Sequence, residues 1–276
     1  MTGPGRHKGH YQELCKGAQH QYTIGIKTRA WYIGTVLTVS GEEIRSSQLW
    51  ETVLVRVREA ILAGEVPAGT KLVETELAER FGTSRGPIRQ AIRELAREGL
   101  VVELPRRRAF VATLTARDLV EVYAVREALE SGAMREVVAH ASDAEISALG
   151  SSLADLEDGW ARGVDYLESA ILDLQFHRQL VALRRNARMA AMYEQMLAQT
   201  MLLLRSAAEG SPTLRSGMPR SVHRDILDAL QARSPERAGA AIARHYRHAE
   251  DRLFGRLGGV NNSAEVLPLP GPPCAC

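Results

Sequence analysis

The sequence predicts a mainly α protein in two parts, an N-terminal winged helix-turn-helix followed by an all-helical bundle. Three observations predict it. The body of the chain is rich in Ala, Leu, Arg and Glu, and only 5% of residues are aromatic, a mixture that favours helices over pleated sheet. Apolar residues recur at three- and four-residue intervals between Gly, Pro and polar breaks. A single pair of short β-prone runs, Leu100–Leu104 and Ala109–Ala112, interrupts this pattern around the basic turn Pro105-Arg106-Arg107-Arg108.

The elements follow in order. Leu49, Val53, Val57, Ile61 and Leu62 line one face of a first helix that stops at Gly64. After the turn Val66-Pro67-Ala68-Gly69 and the short Lys71-Leu72-Val73, residues Glu74–Phe81 form a compact helix closed by Gly82 in a left-handed cap. Thr83 or Ser84 caps the next helix, and Pro87 sits in its first turn, where a missing N–H costs little. Ile88, Ala91, Ile92 and Leu95 supply its buried stripe and Gly99 ends it, before the hairpin. Thr115 and Asp118 then start a second block of helices, at about 117–141, 143–162, 164–184, 187–208, 217–232 and 235–257. The expected division is a tail at 1–45, a winged helix-turn-helix at 46–114, an all-helical domain at 115–257 and a Gly/Pro-rich tail at 258–276. Both tails are expected to be disordered.

Composition excludes some classes of function. No stretch reaches the ~18 consecutive apolar residues of a membrane span. Cys15, Cys274 and Cys276 lie at the two ends, outside any packed segment, which argues against a disulfide framework and for a cytoplasmic location. The chain carries a net charge of +2, yet Arg80 to Arg108 holds eight arginines against Glu94, Glu98 and Glu103. That local excess calls for an anionic partner.

With the apolar stripe of the third helix buried, Arg85, Arg89 and Arg93 project together at i, i+4 and i+8. An arginine row is by itself an ordinary solvated face. Here the turn before it, the Ser-Arg-x-Pro start and the basic hairpin agree on the geometry of a recognition helix with a wing, suited to duplex phosphates and guanine edges. The run Leu77-Ala78-Glu79-Arg80-Phe81-Gly82-Thr83-Ser84-Arg85-Gly86-Pro87-Ile88-Arg89-Gln90-Ala91-Ile92-Arg93-Glu94-Leu95, with Glu98-Gly99-Leu100-Val101, resembles the GntR family of bacterial transcription regulators. The resemblance covers Leu49 to Ala112. It implies that Arg85 and Arg89 contact double-stranded DNA, that Ser84, Gly86 and Pro87 lie close to the DNA backbone, and that the wing, with Arg107 and Arg108, is engaged too. Members of the family commonly have glycine where Arg108 stands, and a non-glycine residue resists a left-handed turn there.

In the second block, Asp173 and His177 share one helix face at i, i+4. His223 and His245 lie on later helices within apolar spacing that turns them inward, and His248 competes with His245 at lower rank. One carboxylate and three imidazoles suit a divalent transition metal such as zinc, nickel or manganese, with coordination positions left for water or a ligand. Read alone, the Asp-x-x-x-His pair is an exposed polar pair. The series Met189, Met192, Met196, Met201 reads as core.

Arg126-Glu127-Ala128-Leu129-Glu130, Asp173-Leu174-Gln175-Phe176-His177-Arg178-Gln179-Leu180, Asn186, His223 to Leu230 and Ala238 to His245 resemble the FCD domain, a ligand-sensing bundle that follows the GntR-type head in one large subfamily. The resemblance implies a metal held by Asp173, His177, His223 and His245, and small organic acids or other metabolites bound beside it. It sets Arg126 near the pocket, either pairing with an effector carboxylate or forming a structural salt bridge to a bundle acid. Asn186 reads as a cap of the following helix. The expectation is therefore a homodimeric regulator, a repressor, whose affinity for a pseudo-palindromic operator is modulated by a small carboxylate. The alternatives are a metal-dependent enzyme built on the Asp/His3 set and a bundle whose metal serves only structure.

Overall fold

The structure, a computed structural model, describes residues 46–106, 108–210 and 220–257. Arg107 and the expected tails at 1–45 and 258–276 lie outside the described residues, as do residues 217–219 of the fifth bundle helix expected from the sequence.

The N-terminal part runs α1 (Ser46–Ala63), β1 (Lys71–Leu72), α2 (Glu74–Arg80), α3 (Arg85–Arg97), β2 (Val101–Leu104) and β3 (Arg108–Val111). It is a winged helix-turn-helix, as the pattern predicts. Its core gathers the expected apolar stripes, with Val57, Ile61, Ile88, Ala91, Ile92, Leu95 and Leu100 buried together. Gly64, Gly82 and Gly99 all adopt left-handed φ values, of +79°, +59° and +75°, where the three helices end. Ser84 is the N-cap of α3 in extended geometry, but its side chain makes no cap hydrogen bond and is exposed.

Two features of the small sheet differ from expectation. Lys71–Leu72 is a third strand, pairing antiparallel with β3 to give the order β1-β3-β2. A two-residue strand is too short to carry an alternating pattern, so it leaves no signal of period two. In the wing, Arg108 is not the turn residue; it is the first residue of β3, paired with Leu104. The left-handed position is Arg106, at φ +65°. The β2–β3 register pairs Leu104 with Arg108, and the strain expected at Arg108 moves two residues upstream, to Arg106.

The second part is α4 (Ala116–His140), α5 (Asp143–Arg162), α6 (Tyr166–Ala182), α7 (Ala187–Gly210), α8 (Arg220–Gln231) and α9 (Pro235–Leu257). Thr115 and Asp118 form a capping box: Thr115 Oγ1 accepts from the Asp118 N–H at 3.3 Å and the Asp118 carboxylate accepts from the Thr115 N–H at 2.6 Å. Asn186 caps α7, its Oδ1 accepting from the N–H groups of Arg188 and Met189 at 3.1 Å each. Of the methionine series, Met201 is buried and Met192 is 55% exposed. Tyr193, one position further along α7, takes the inward place. A continuous apolar core of Leu149, Leu153, Leu156, Phe176, Leu180, Ile226, Leu230, Ile242 and their neighbours joins α4, α5, α6, α8 and α9. Arg233, left-handed at φ +52°, ties α8 to the α4–α5 corner: its guanidinium donates to the carbonyls of Val138 and Ala141 and pairs with Asp143 at 2.6 Å.

Candidate functional site

Four side chains from three bundle helices meet in the interior. Asp173 and His177 come from α6, His223 from α8 and His245 from α9, and one ligand atom of each lies within 4.8 Å of the others. The imidazole centroids stand 4.4 Å apart for His177 and His245, 4.6 Å for His223 and His245, and 5.3 Å for His177 and His223. All three rings are buried, whereas Asp173 is partly open. His248, the competing candidate, is exposed one turn away from this cluster.

The chemistry of the set fits a cation. Asp173 Oδ1 lies 2.7 Å from His223 Nε2. Yet among the described residues His177 Nε2, both nitrogens of His223 and His245 Nδ1 are buried without an aligned hydrogen bond. Each such group costs roughly 1–3 kcal/mol when unsatisfied, and a shared metal ion is the usual remedy for several nitrogens in one place. Two ligands on opposite sides of an ion at about 2.1 Å stand roughly 4.2 Å apart, close to the span of this cluster. Burial, followed by the neighbouring rings of His177 and His223, pushes the His245 pKa well below its ordinary value, which keeps its lone pair free near neutrality. Burial also pushes the Asp173 carboxyl up, but its contact with His223 and the fields of His177 and His245 outweigh this and hold it ionised.

A second layer sits behind the cluster. Glu130 Oε2 accepts from His177 Nδ1 at 2.7 Å, with both side chains fully buried. Glu130 Oε1 accepts from the hydroxyls of Tyr193 and Tyr246 and faces Arg126 Nη2 at 3.4 Å. Burial raises the Glu130 pKa, but His177 and Arg126 outweigh it, so the carboxylate is ionised and can only accept. Because Glu130 can only accept, His177 Nδ1 is the donor of this bond, and Nε2 is the ring nitrogen left for the cluster.

Arg126 is 2% exposed and packs its guanidinium over the rings of Tyr123, Tyr193 and Tyr246, 5.5–5.7 Å from each centroid. It makes the salt bridge to a bundle acid, Glu130, that was one of the two expectations for it. Its Nε has no hydrogen-bond partner among the described residues, and its charge helps to depress the pKa of His245. Glu130 and the three tyrosines escaped the sequence reading as site residues. The spacing of Arg126 and Glu130 at i, i+4 places them on one helix face, which is the signal that was available for Glu130.

In the head, the candidate DNA-contacting residues lie along α3 and the wing. Ser84, Arg85, Gly86 and Arg93 are exposed, Pro87 and Arg89 half-buried, and Arg108 exposed with its Nε 3.4 Å from the Pro105 carbonyl. Glu74, at the start of α2, joins the row: its Oε2 accepts from Arg89 Nε at 2.8 Å and from Arg85 Nη2 at 2.9 Å. Burial pushes its carboxyl up, but the bonds from Arg89 and Arg85 hold it below the ordinary range. The two arginines are thus fixed in place from the neighbouring helix, a feature that charge counting along α3 missed.

Comparison with known proteins assigns both parts. Residues 49–111 match the bacterial regulatory proteins of the gntR family and residues 121–248 match the FCD domain. A probable D-xylose utilization operon transcriptional repressor from Paenarthrobacter nicotinovorans is 31% identical over 221 residues, covering 78% of this chain and 95% of that protein. The chain belongs to the GntR family, with an FCD domain behind its head. An uncharacterized HTH-type transcriptional regulator of Bacillus subtilis, YdhC, is 28% identical over 200 residues, 72% of this chain and 88% of that one. In fold, E. coli McbR/YncC superposes with a TM-score of 0.62 at 21% identity, over 75% of this chain and 98% of that one. This GntR protein is accordingly a transcription regulator and not an enzyme, its head being of the kind that binds DNA and its bundle of the kind that binds small-molecule effectors. Among the described residues no helix is long and apolar enough to cross a membrane.

Proposed function

We propose that this GntR regulator is a homodimeric repressor whose affinity for a pseudo-palindromic operator is set by a small carboxylate bound beside a divalent metal in the FCD domain. The observation that carries the sensing half is the cluster of Asp173 with the buried His177, His223 and His245, in which four ring nitrogens lack an aligned hydrogen bond among the described residues. These residues would hold zinc, nickel or manganese, and such an ion offers a Lewis-acid position for a carboxylate oxygen. Arg126, whose Nε has no hydrogen-bond partner among the described residues, would take the effector carboxylate. The repressor reading is supported by the name of the Paenarthrobacter relative. A two-fold dimer places two recognition helices one helical turn apart on DNA, which is why a pseudo-palindrome is expected. The protein would act in the cytoplasm, on the DNA it regulates.

On the DNA side, the row of exposed Arg85, half-buried Arg89 and exposed Arg93 carries the reading, joined by Ser84, Gly86 and Pro87 at the N-terminus of α3 and, in the sequence of the wing, by Arg107 and Arg108. The test is isothermal titration of the metal-stripped protein with zinc, then with carboxylic acids. One zinc per chain in the wild type and none in His223→Ala supports the site. Equal binding by both proteins sinks it.

A further inference from the structure

Helix α7 touches both the candidate ligand site and the DNA-binding head. Leu202 is 2% exposed and belongs to the apolar core of the head. Three residues before it, Gln199 donates from Nε2 to the carbonyl of Glu98, the C-cap of the recognition helix α3, at 2.8 Å. Three residues after it, Arg205 donates from Nε to the carbonyl of Leu62, in the last turn of α1, at 3.0 Å.

The two polar contacts repeat one design. Each reaches the end of a head helix where a glycine has turned left-handed, Gly99 at φ +75° beside Gln199 and Gly64 at φ +79° beside Arg205. A Cβ on Gly99 would lie 2.5 Å from Gln199 Nε2, and one on Gly64 would lie 2.6 Å from Arg205 Nη1. Each glycine is therefore required twice, for its backbone conformation and for the socket that admits the α7 side chain. The positive Arg205 also suits the partial negative charge at the end of α1. At its other end α7 carries Tyr193, whose hydroxyl donates to Glu130, the carboxylate that orients His177.

We infer that α7 is the element through which the ligand site controls the head, and that Gln199 and Arg205 are the positioning residues that hold to it the C-terminal ends of the recognition helix α3 and of α1, respectively. This rests on the reading of the FCD domain as a sensor. Occupancy of the site fixes the Glu130–Tyr193 contact and with it the setting of α7. The two sockets pass that setting to the C-terminal ends of α1 and α3, so the state of the site and the affinity for DNA are coupled in both directions.

The test uses the full-length Gln199→Ala/Arg205→Ala double variant, with zinc alone as the probe. In metal-free protein, amide hydrogen exchange at residues 62–66 and 98–102 should be roughly fivefold or more faster in the variant, because each loses a hydrogen bond at a helix end. Unchanged exchange overturns the proposal. With a DNA duplex from upstream of its coding region, zinc should shift wild-type affinity by a factor on the order of 5–150. The variant should bind zinc as the wild type does while its DNA affinity shifts by less than about twofold; a role in stability alone would lower its melting temperature and leave that response intact. A full zinc response in the variant overturns the proposal. If zinc binds wild type without altering its DNA affinity while exchange in the variant is still faster, the sensor reading fails and the clamp between α7 and the head stands.

Discussion

Glu130 and His177, 47 residues apart in the chain, meet in the buried centre of the bundle with Glu130 Oε2 2.7 Å from His177 Nδ1. This contact fixes which imidazole nitrogen faces the cluster and anchors Arg126, Tyr193 and Tyr246 around a single carboxylate. Replacing Glu130 by Gln keeps the shape but removes the charge. Zinc affinity should fall about 10–100-fold although no ligand is lost. The melting temperature should fall as well, since Arg126 is left buried without its counter-charge, at a cost on the order of 3–5 kcal/mol. Calorimetry and thermal unfolding of the purified variant check both; wild-type affinity would show that Glu130 plays no part in orienting His177.

The head offers a separate prediction. Arg89→Ala should weaken operator binding by about 1–3 kcal/mol at fixed salt with no change in fold, as expected for a side chain that reads a base edge. Glu74→Gln should act differently. It releases Arg85 and Arg89 from their shared acceptor and removes a negative charge from the surface, so binding to nonspecific DNA should strengthen while preference for the operator declines. Anisotropy titrations with and without competitor DNA distinguish the two variants.

The pH dependence of the metal-free protein follows from His245. Its folded-state pKa lies well below the ordinary value of 6.5 because it is buried beside two other imidazoles. Below about pH 6.5 the unfolded chain takes up a proton that the folded chain refuses, so stability rises with pH up to that value and declines beneath it, at most by about 1.4 kcal/mol per pH unit. Melting temperatures between pH 7.5 and 5.5 should fall in the wild type and fall less in His245→Gln. Parallel curves would contradict the assignment.

The wing supplies a prediction about backbone strain. Arg106 holds a left-handed φ of +65° with a Cβ that disfavours it. Arg106→Gly should relieve about 1 kcal/mol of strain, partly offset by the greater freedom of glycine in the unfolded chain. Stability should therefore stay equal or rise slightly, while the salt dependence of DNA binding should become shallower if Arg106 contacts phosphate. A loss of stability would show that the Arg106 side chain supports the wing in some other way.

Much of the head was legible because its signals are local. Gly64, Gly82 and Gly99 mark helix ends through backbone conformation, and the spacing of Ile88, Ala91, Ile92 and Leu95 fixes which face of α3 turns outward. The same logic put Asp173 beside His177, turned His223 and His245 inward and ranked His248 below His245; the structure gathers the first four and leaves His248 exposed. What was not legible depends on pairing between elements. Glu130 and Glu74 read as two more acids on helices, and their roles appear only when α4 packs on α6 and α2 on α3. The left-handed turn at Arg106 depends on the register of β2 against β3, which a four-residue basic turn does not specify. The clamps at Gln199 and Arg205 join residues more than a hundred positions apart, and no periodicity within α7 announces them.

The most direct test of the account is the affinity of the full-length protein for DNA from upstream of its own coding region, measured by fluorescence anisotropy in the metal-stripped and zinc-loaded forms. The account predicts saturable, salt-sensitive binding that survives competitor DNA and changes on the order of 5–150-fold with zinc in the wild type, but not in His223→Ala. Specific binding of equal strength in the presence and absence of zinc, with zinc bound, would contradict it.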